Sequence, residues 1–318
     1  MGVVQVVGDG VVGRRVMTMV SRDASASEGP ASAASGCRVA VLASGGPHAV
    51  LARQFLIGGT GVVTVGDEIE DCLHLLDLAD VAESAGVPLV VGAAMSPGLS
   101  GLLVRSILST LDTCSEIHVA LHGTAGPACA RGYHDSLSGW SSVWWDGRMR
   151  SAPAGSGREL LWFPEPIGPK DCYLASIASP VLLHRSLPDV NRVSVRRSAR
   201  RRDRFTARLP MLREPHAEGG PGALRVELRG IDRDGRRATI VRGVADQVGT
   251  ATAAVASVFA EAAARGELPA GLTLASDPIS QQLGLLQRVV AKGIRVQEYT
   301  GTPALDQSAR GQRILDPS

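Results

Sequence analysis

Hydrophobic positions in this chain follow two patterns in succession. Up to about residue 115 they come as short, nearly unbroken runs: Val3-Val4-Gln5-Val6-Val7, Arg38-Val39-Ala40-Val41-Leu42-Ala43, Val62-Val63-Thr64-Val65 and Val87-Pro88-Leu89-Val90-Val91. β-Branched runs of this length predict strands buried on both faces of a parallel sheet. Helical stretches separate them: residues 14–20, residues 49–56, and an amphipathic stretch whose Leu73, Leu76, Leu78, Val81 and Ala82 are spaced for one face. Strands alternating with helices at this spacing predict a parallel α/β sheet. Beyond residue 115 the period changes to two. Ile117, Val119 and Leu121 alternate with His118, Ala120 and His122, and Leu224, Val226 and Leu228 with Arg225, Glu227 and Arg229. Both read as strands with one wetter face, and residues 158–163 read as another. Asp232-Arg233-Asp234-Gly235 turns the second of them into a hairpin that returns through Ala238-Thr239-Ile240-Val241. An alanine-rich helix follows, with Thr250 as its expected cap and Gly266 as its stop.

The first run leads directly into Gly8-Asp9-Gly10-Val11-Val12-Gly13, and then into a segment able to continue as a helix. Strand, GxGxxG and helix in that order form a dinucleotide-binding fingerprint. Gly8 permits the tight turn, Gly10 lets a pyrophosphate approach the backbone, and Gly13 lets helix and strand pack closely. The helix N-terminus then offers free N–H groups and a partial positive charge to the phosphates. Such a fold next needs a second strand ending in an acidic residue, and residues 21–37 instead read as a small-residue surface loop. Two readings stand. Either a βα unit is missing, or the first helix stops early and residues 17–20 form the second strand, which would put Ser21 and Arg22 where a 2′-phosphate clamp sits.

Further on, Ser44-Gly45-Gly46-Pro47-His48, Gly66-Asp67-Glu68 and Gly92-Ala93-Ala94-Met95-Ser96-Pro97-Gly98-Leu99-Ser100 each follow a strand. This succession resembles the saccharopine dehydrogenase-like oxidoreductases, and the resemblance continues more faintly through Trp145-Asp146-Gly147, Phe163-Pro164-Glu165-Pro166 and Gly249-Thr250-Ala251. It implies a Rossmann-like domain, hydride transfer to or from a small amino, imino or carbonyl metabolite, and NAD or NADP as cofactor. By the same resemblance Ser44, Gly45, Gly46 and Pro47 lie beside the nicotinamide, while Asp67, Glu68, Met95, Pro97 and Gly98 border the substrate. His48, also placed at the substrate, stands where the family commonly has an aromatic residue. Ligands in open α/β sheets bind beyond the carboxyl ends of the strands, so these loops should converge on one opening.

The expected architecture is therefore α/β: a Rossmann-like parallel-sheet domain over residues 1–115 and a mixed-sheet α+β domain for substrate binding and dimerisation over residues 116–275. A helix over 280–292 and a strand over 293–298 are placed as packing back on the first domain, and residues 301–318 as a loose tail. A homodimer is the candidate assembly. The 318 residues are 44% hydrophobic and 20% charged, enough apolar surface for one large or two ordinary cores. Thirty-three basic residues against 31 acidic ones leave +2, so no global field recommends nucleic acid or an anionic membrane as partner. No run is long enough to cross a bilayer, and five scattered cysteines fit a reducing cytoplasm better than a disulfide framework.

Candidate chemistry is sparse. His134-Asp135 pairs an imidazole with a carboxylate and is the leading acid–base element, set against a structural or capping histidine. Asp67 and Glu68 either orient an amine or hydroxyl or cap the helix that follows. His118 and His122 share one strand face with no Asp, Glu or Cys to complete a metal set, and are read as facing solvent. The arginines of residues 192–204 are read as a solvated loop between strands, set against binding of phosphates or nucleic acid, for which no aromatic residue interleaves the run before Phe205. Trp140, Trp144, Trp145 and Trp162 suit either a pocket wall or a core at the domain junction. A catalytically degenerate relative that binds a metabolite or protein partner without turnover is the alternative function.

Overall fold

A computed structural model describes residues 3–20, 26–28, 36–209, 211, 214–299 and 313–314. The first half builds β1 (Val4–Val7), α1 (Val11–Met19), β2 (Ala26–Glu28), β3 (Val39–Leu42), α2 (Ala49–Ile57), β4 (Gly61–Thr64), α3 (Ile69–Leu76), α4 (Ala79–Ser84), β5 (Pro88–Val90) and α5 (Leu99–Leu108). The second builds β6 (Leu111–His122), α6 (Pro127–Asp135), β7 (Trp140–Trp145), β8 (Arg148–Pro153), β9 (Glu159–Phe163), β10 (Gly168–Leu174), α7 (Ser179–Ser186), β11 (Arg192–Ser198) and α8 (Arg201–Thr206). The chain ends with β12 (Pro221–Asp232), β13 (Arg237–Gln247), α9 (Val248–Ala264), β14 (Gly271–Thr273), α10 (Pro278–Gln282), α11 (Leu285–Ala291), β15 (Gln297–Tyr299) and β16 (Arg313–Ile314).

Six of these strands form a parallel sheet in the order β14-β5-β4-β3-β1-β2. The four residues each of β1, β3 and β4 are buried throughout, as apolar runs in a sheet covered on both faces must be. α1 continues unbroken to Met19, so residues 17–20 are helix and not the second strand. That strand is β2, within the stretch read as a loop, and it pairs Val4 with Ala26 and Val6 with Glu28. Its Ala-Ser-Glu sequence has no apolar run because it lies at the edge of the sheet, where backbone pairing suffices. Ser21 and Arg22 lie outside the described residues. Among the described residues a single strand stands beyond β1 on that side, where the usual dinucleotide fold has two.

Other differences have local causes. The amphipathic stretch after β4 is two helices, α3 and α4, and Leu73 is 44% exposed while Cys72, Leu75 and Leu78 carry the burial. α9 starts at Val248 with Gln247 as cap, so Thr250 sits inside its first turn; Gly266, at φ +71°, follows its end. The helix expected over 280–292 is broken into α10 and α11 by left-handed Gly284.

The second sheet runs β16-β15-β13-β12-β6-β11-β10-β9, with β7 beside β11 and β8 beside β7. β6 and β11 are parallel, and the other pairs of this sheet are antiparallel. One face presents Ile117, Val119, Val193, Val195, Leu224 and Val226 to the main core. The other face rolls inward. Tyr299 of β15 donates its hydroxyl to the Trp162 carbonyl of β9 at 2.9 Å, so strands from opposite sides of the sheet meet. β15 thus belongs to this sheet and not to the first, and β16, within the segment expected to be a loose tail, pairs with it. Conversely β14 extends the parallel sheet, and α9 packs on α1, β3 and β4, although both lie in the span assigned to the second domain. Residues 192–204 are not a loop: they form the interior strand β11 and the short helix α8.

Candidate active site

β1 and β3 are neighbours, with β2 on the far side of β1, so chain order reverses between them, and the carboxyl ends of these strands are where open α/β sheets form a ligand crevice. Gly8, at φ +123°, lies so close to β3 that a Cβ would stand 2.6 Å from the Ser44 nitrogen. At Gly13 a Cβ would stand 1.9 Å from the Gly8 carbonyl oxygen, which is the close helix–strand approach that the fingerprint requires. Gly10 differs from both: a Cβ there meets nothing within 4 Å. It is the N-cap of α1, and no side chain caps the helix. The N–H groups of Val11, Val12 and Gly13 therefore begin a nine-residue helix without a side-chain acceptor, facing the backbone clearance that a bound phosphate needs. Asp9 is exposed and its carbonyl accepts from Arg14 Nη1 at 2.7 Å. The far wall comes from residues 44–47 and from the start of α6. Ala128 lies 2.9 Å from where a Gly45 Cβ would be, Gly46 adopts φ +96°, and Gly126 abuts Val11.

Beside this crevice the two sheets are tied by a polar cluster. Alternation along β11 puts Arg197 on the face of Val193 and Val195, directed at the first sheet. Its guanidinium forms an ion pair with Asp67 at the end of β4, donates to Ser136 Oγ at 3.2 Å and lies 4.7 Å over the Tyr133 ring. The Arg197 side chain is 5% exposed and that of Asp67 34%, so the carboxylate is the part that reaches solvent. Tyr133 donates its hydroxyl to the Ser198 carbonyl, and Ser198 Oγ contacts His122 Nδ1 at 2.7 Å. Burial pushes the Tyr133 phenol well above its ordinary range and the His122 imidazole below its own, so both are neutral near pH 7.

The other expected site residues make structural contacts in the fold. His48 is 2% exposed, with Nε2 3.1 Å from the Ser44 carbonyl and its backbone N–H donating to Asp71 Oδ1 at 2.8 Å. Burial lowers its pKa, and it holds the loop instead of lining the opening. Glu68 caps α3, accepting from the N–H groups of Glu70 at 3.0 Å and Asp71 at 2.7 Å. His134 is not brought to the crevice loops. Its Nε2 lies 3.0 Å from the Thr206 carbonyl and 3.2 Å from that of Leu209, which ties α6 to the end of α8. In the loop after β5, Met95, Pro97 and Gly98 are buried. The Met95 N–H donates to Thr252 Oγ1 of α9 at 3.2 Å, and Ser96 Oγ meets Ser100 and Ser179 at 3.0 and 3.1 Å. Gly98, at φ +126°, has no space for a side chain, since a Cβ would stand 2.2 Å from the Ala94 carbonyl. His118 and His122 face the inside of the rolled sheet and not open solvent. Trp144 stacks on His184, and Trp145 lies under Arg192.

Comparison of the sequence with protein-family models and with curated proteins finds no match. Comparison of the structure with solved structures does find similar ones. Apo saccharopine dehydrogenase (L-Glu forming) from Saccharomyces cerevisiae superposes with a TM-score of 0.66 at 13% identity, over 93% of this chain and 99% of that one. This chain has the saccharopine dehydrogenase fold. A mutant meso-DAP dehydrogenase from Clostridium tetani E88 (TM-score 0.48, 13% identity, 89% and 95% coverage) and an amine dehydrogenase from Mycobacterium smegmatis (TM-score 0.48, 12% identity, 86% and 95% coverage) are more distant matches. A Rossmann-type parallel sheet joined to a mixed second sheet is common ground between this chain and the yeast structure.

Several residues of this site carry little signal in the sequence. Arg197 was hidden among the arginines of residues 192–204, although Val193-Ser194-Val195-Arg196-Arg197 carries the alternation that marks a strand. Tyr133 and Ser198 had no local signal. Asp71, which caps α2 through the His48 and Ala49 N–H groups, was indistinguishable from any acid in the first turn of a helix. Among the described residues no group of three or more His, Cys, Asp or Glu is arranged to hold a metal.

Proposed function

We propose that this chain is an NAD(P)-dependent oxidoreductase acting on a small amino, imino or carbonyl compound. One observation carries the reading: the uncapped N-terminus of α1, fronted by Gly10 with open space before it, stands at the switch point of a Rossmann-type sheet. In this reading the N–H groups of Val11, Val12 and Gly13 hold the pyrophosphate. The carboxyl end of β2 has the position at which such folds hold the ribose. Residues 44–47 flank the nicotinamide, which when bound supplies or accepts the hydride.

The chain's own residues do the rest. Asp67 presents a carboxylate to the opening and accepts a hydrogen bond from a substrate N–H or O–H. Arg197, buried behind it, fixes its orientation through their ion pair. The scattered spacing of the five cysteines fits a reducing cytoplasm as compartment.

Titration of NADH and of NADPH by intrinsic fluorescence tests the reading. At least one should bind saturably, and Gly10→Asp, which puts a carboxylate into the phosphate space, should weaken it by a hundredfold or more. No saturable binding of either, or a variant that binds like wild type, would leave the catalytically degenerate relative as the better account.

A further inference from the structure

On the opposite face of the second sheet from the crevice, three adjacent strands bring charged residues into register. β11, β6 and β12 align Arg196, Ala120 and Arg225 in one cross-strand row, and Ser194, His118 and Glu227 in the next. Residues in one row point to the same face, so two arginines flank a single alanine with their backbones about 10 Å apart. Ala120, packed with Phe163, Cys172 and Ala223, puts only a methyl group between them at the cavity lining. β9 and β15, joined by the Tyr299–Trp162 hydrogen bond, roll over this face, and a cavity of about 70 Å³ results.

The lining is strongly polar: four arginines against two glutamates, Glu159 and Glu227. Glu159 pairs with Arg196 at 3.1 Å, while Glu227 pairs with Arg225 and, at 2.6 Å, with Arg229. Glu116, at the margin, is shared by His118 at 2.8 Å and by Arg192 and Arg229 at longer range. Positive charge therefore remains in excess after every pair is counted. Arg225 is 4% exposed, yet its buried Nε has no hydrogen-bond partner, and neither has the buried Nε of Arg192. A buried guanidinium with an idle donor costs free energy unless an acceptor is supplied. A water molecule needs roughly 10–15 Å³ of such space, so the cavity has room for a group of about five non-hydrogen atoms.

We propose that this cavity is a binding site for a small oxyanion of phosphate size, clamped between Arg196 and Arg225 above Ala120. Planar guanidinium groups suit such oxygens, which accept charge-assisted hydrogen bonds from them. The site is separate from the dinucleotide cradle and does not depend on it.

Isothermal titration with inorganic phosphate at constant ionic strength tests this on full-length protein carrying Gly10→Asp, in which the α1 cradle is blocked. A single saturable site is expected. Ala120→Leu, which fills the space between the arginines, and Arg196→Gln should each weaken it at least tenfold while the protein still melts cooperatively. Absence of saturable binding in the Gly10→Asp protein overturns the proposal. So does phosphate affinity unchanged by Ala120→Leu or by Arg196→Gln in folded protein. Phosphate bound by wild type but lost in Gly10→Asp would belong to the cradle alone and equally refutes the second site.

Discussion

At the scale of the residue, Arg197 shows how far chemistry depends on which way a side chain points. Its neighbours Arg192 and Arg196 lie on the opposite face of β11, in the polar interior of the rolled sheet, while Arg197 continues the Val193 and Val195 side into the crevice. Composition reads all of them as one basic run; the pleat separates them into two sites. The Asp67–Arg197 pair is lopsided, with a buried cation and a carboxylate one-third exposed. Breaking it from the carboxylate side strands the cation, and solvent at Asp67 reduces the loss below that of a fully buried pair. Asp67→Asn should therefore lower stability to urea by about 1–2 kcal/mol, and a double-mutant cycle with Arg197→Met should show coupling of similar size. A cycle with no coupling would mean that the pair does not hold the crevice wall. The histidines teach the converse lesson. His48 and His134 were legible as imidazoles near strand and helix ends, but their contacts with distant or local carbonyl oxygens are invisible until the chain is folded.

Elements were most legible where burial on both faces forces an apolar run, as in β1, β3 and β4, and where a glycine has a steric duty. Gly13 is such a case. Gly13→Ala would drive a methyl group into the Gly8 carbonyl, separate α1 from β1 and lower stability by about 1–3 kcal/mol. Gly132→Ala, in α6 where a Cβ meets nothing, should raise it by about 0.5–1 kcal/mol. Chemical denaturation midpoints compare the two directly; equal effects would refute the steric reading of the fingerprint. β2 was illegible for the reason that makes β1 obvious. An edge strand of Ala-Ser-Glu is specified by its partner's backbone, and nothing in three small or polar residues announces it. The break between α10 and α11 turns on one left-handed glycine, which reads equally well as an isolated residue inside a helix.

Across the whole molecule, α9 decides the organisation. It is buried along nearly all its length and packs on α1, β3 and β4 of the parallel sheet as well as on β12 and β13 of the second. One hydrophobic core thus runs through both sheets, from Val4 and Val41 to Val195 and Leu228. Fluorescence and far-ultraviolet circular dichroism should accordingly report a single, coincident unfolding transition; two separated transitions would mean that the sheets are independent units. The order of residues alone settled the class of the first sheet, the glycine turn and the hairpin from β12 to β13, because each rests on local sterics or on a short hydrophobic period. Tertiary structure alone decided that β14 joins the first sheet, that β15 joins the second, that β2 exists, and that Arg197 meets Asp67. Those outcomes depend on partners far away in the chain, whose free energy of contact is written in no local segment.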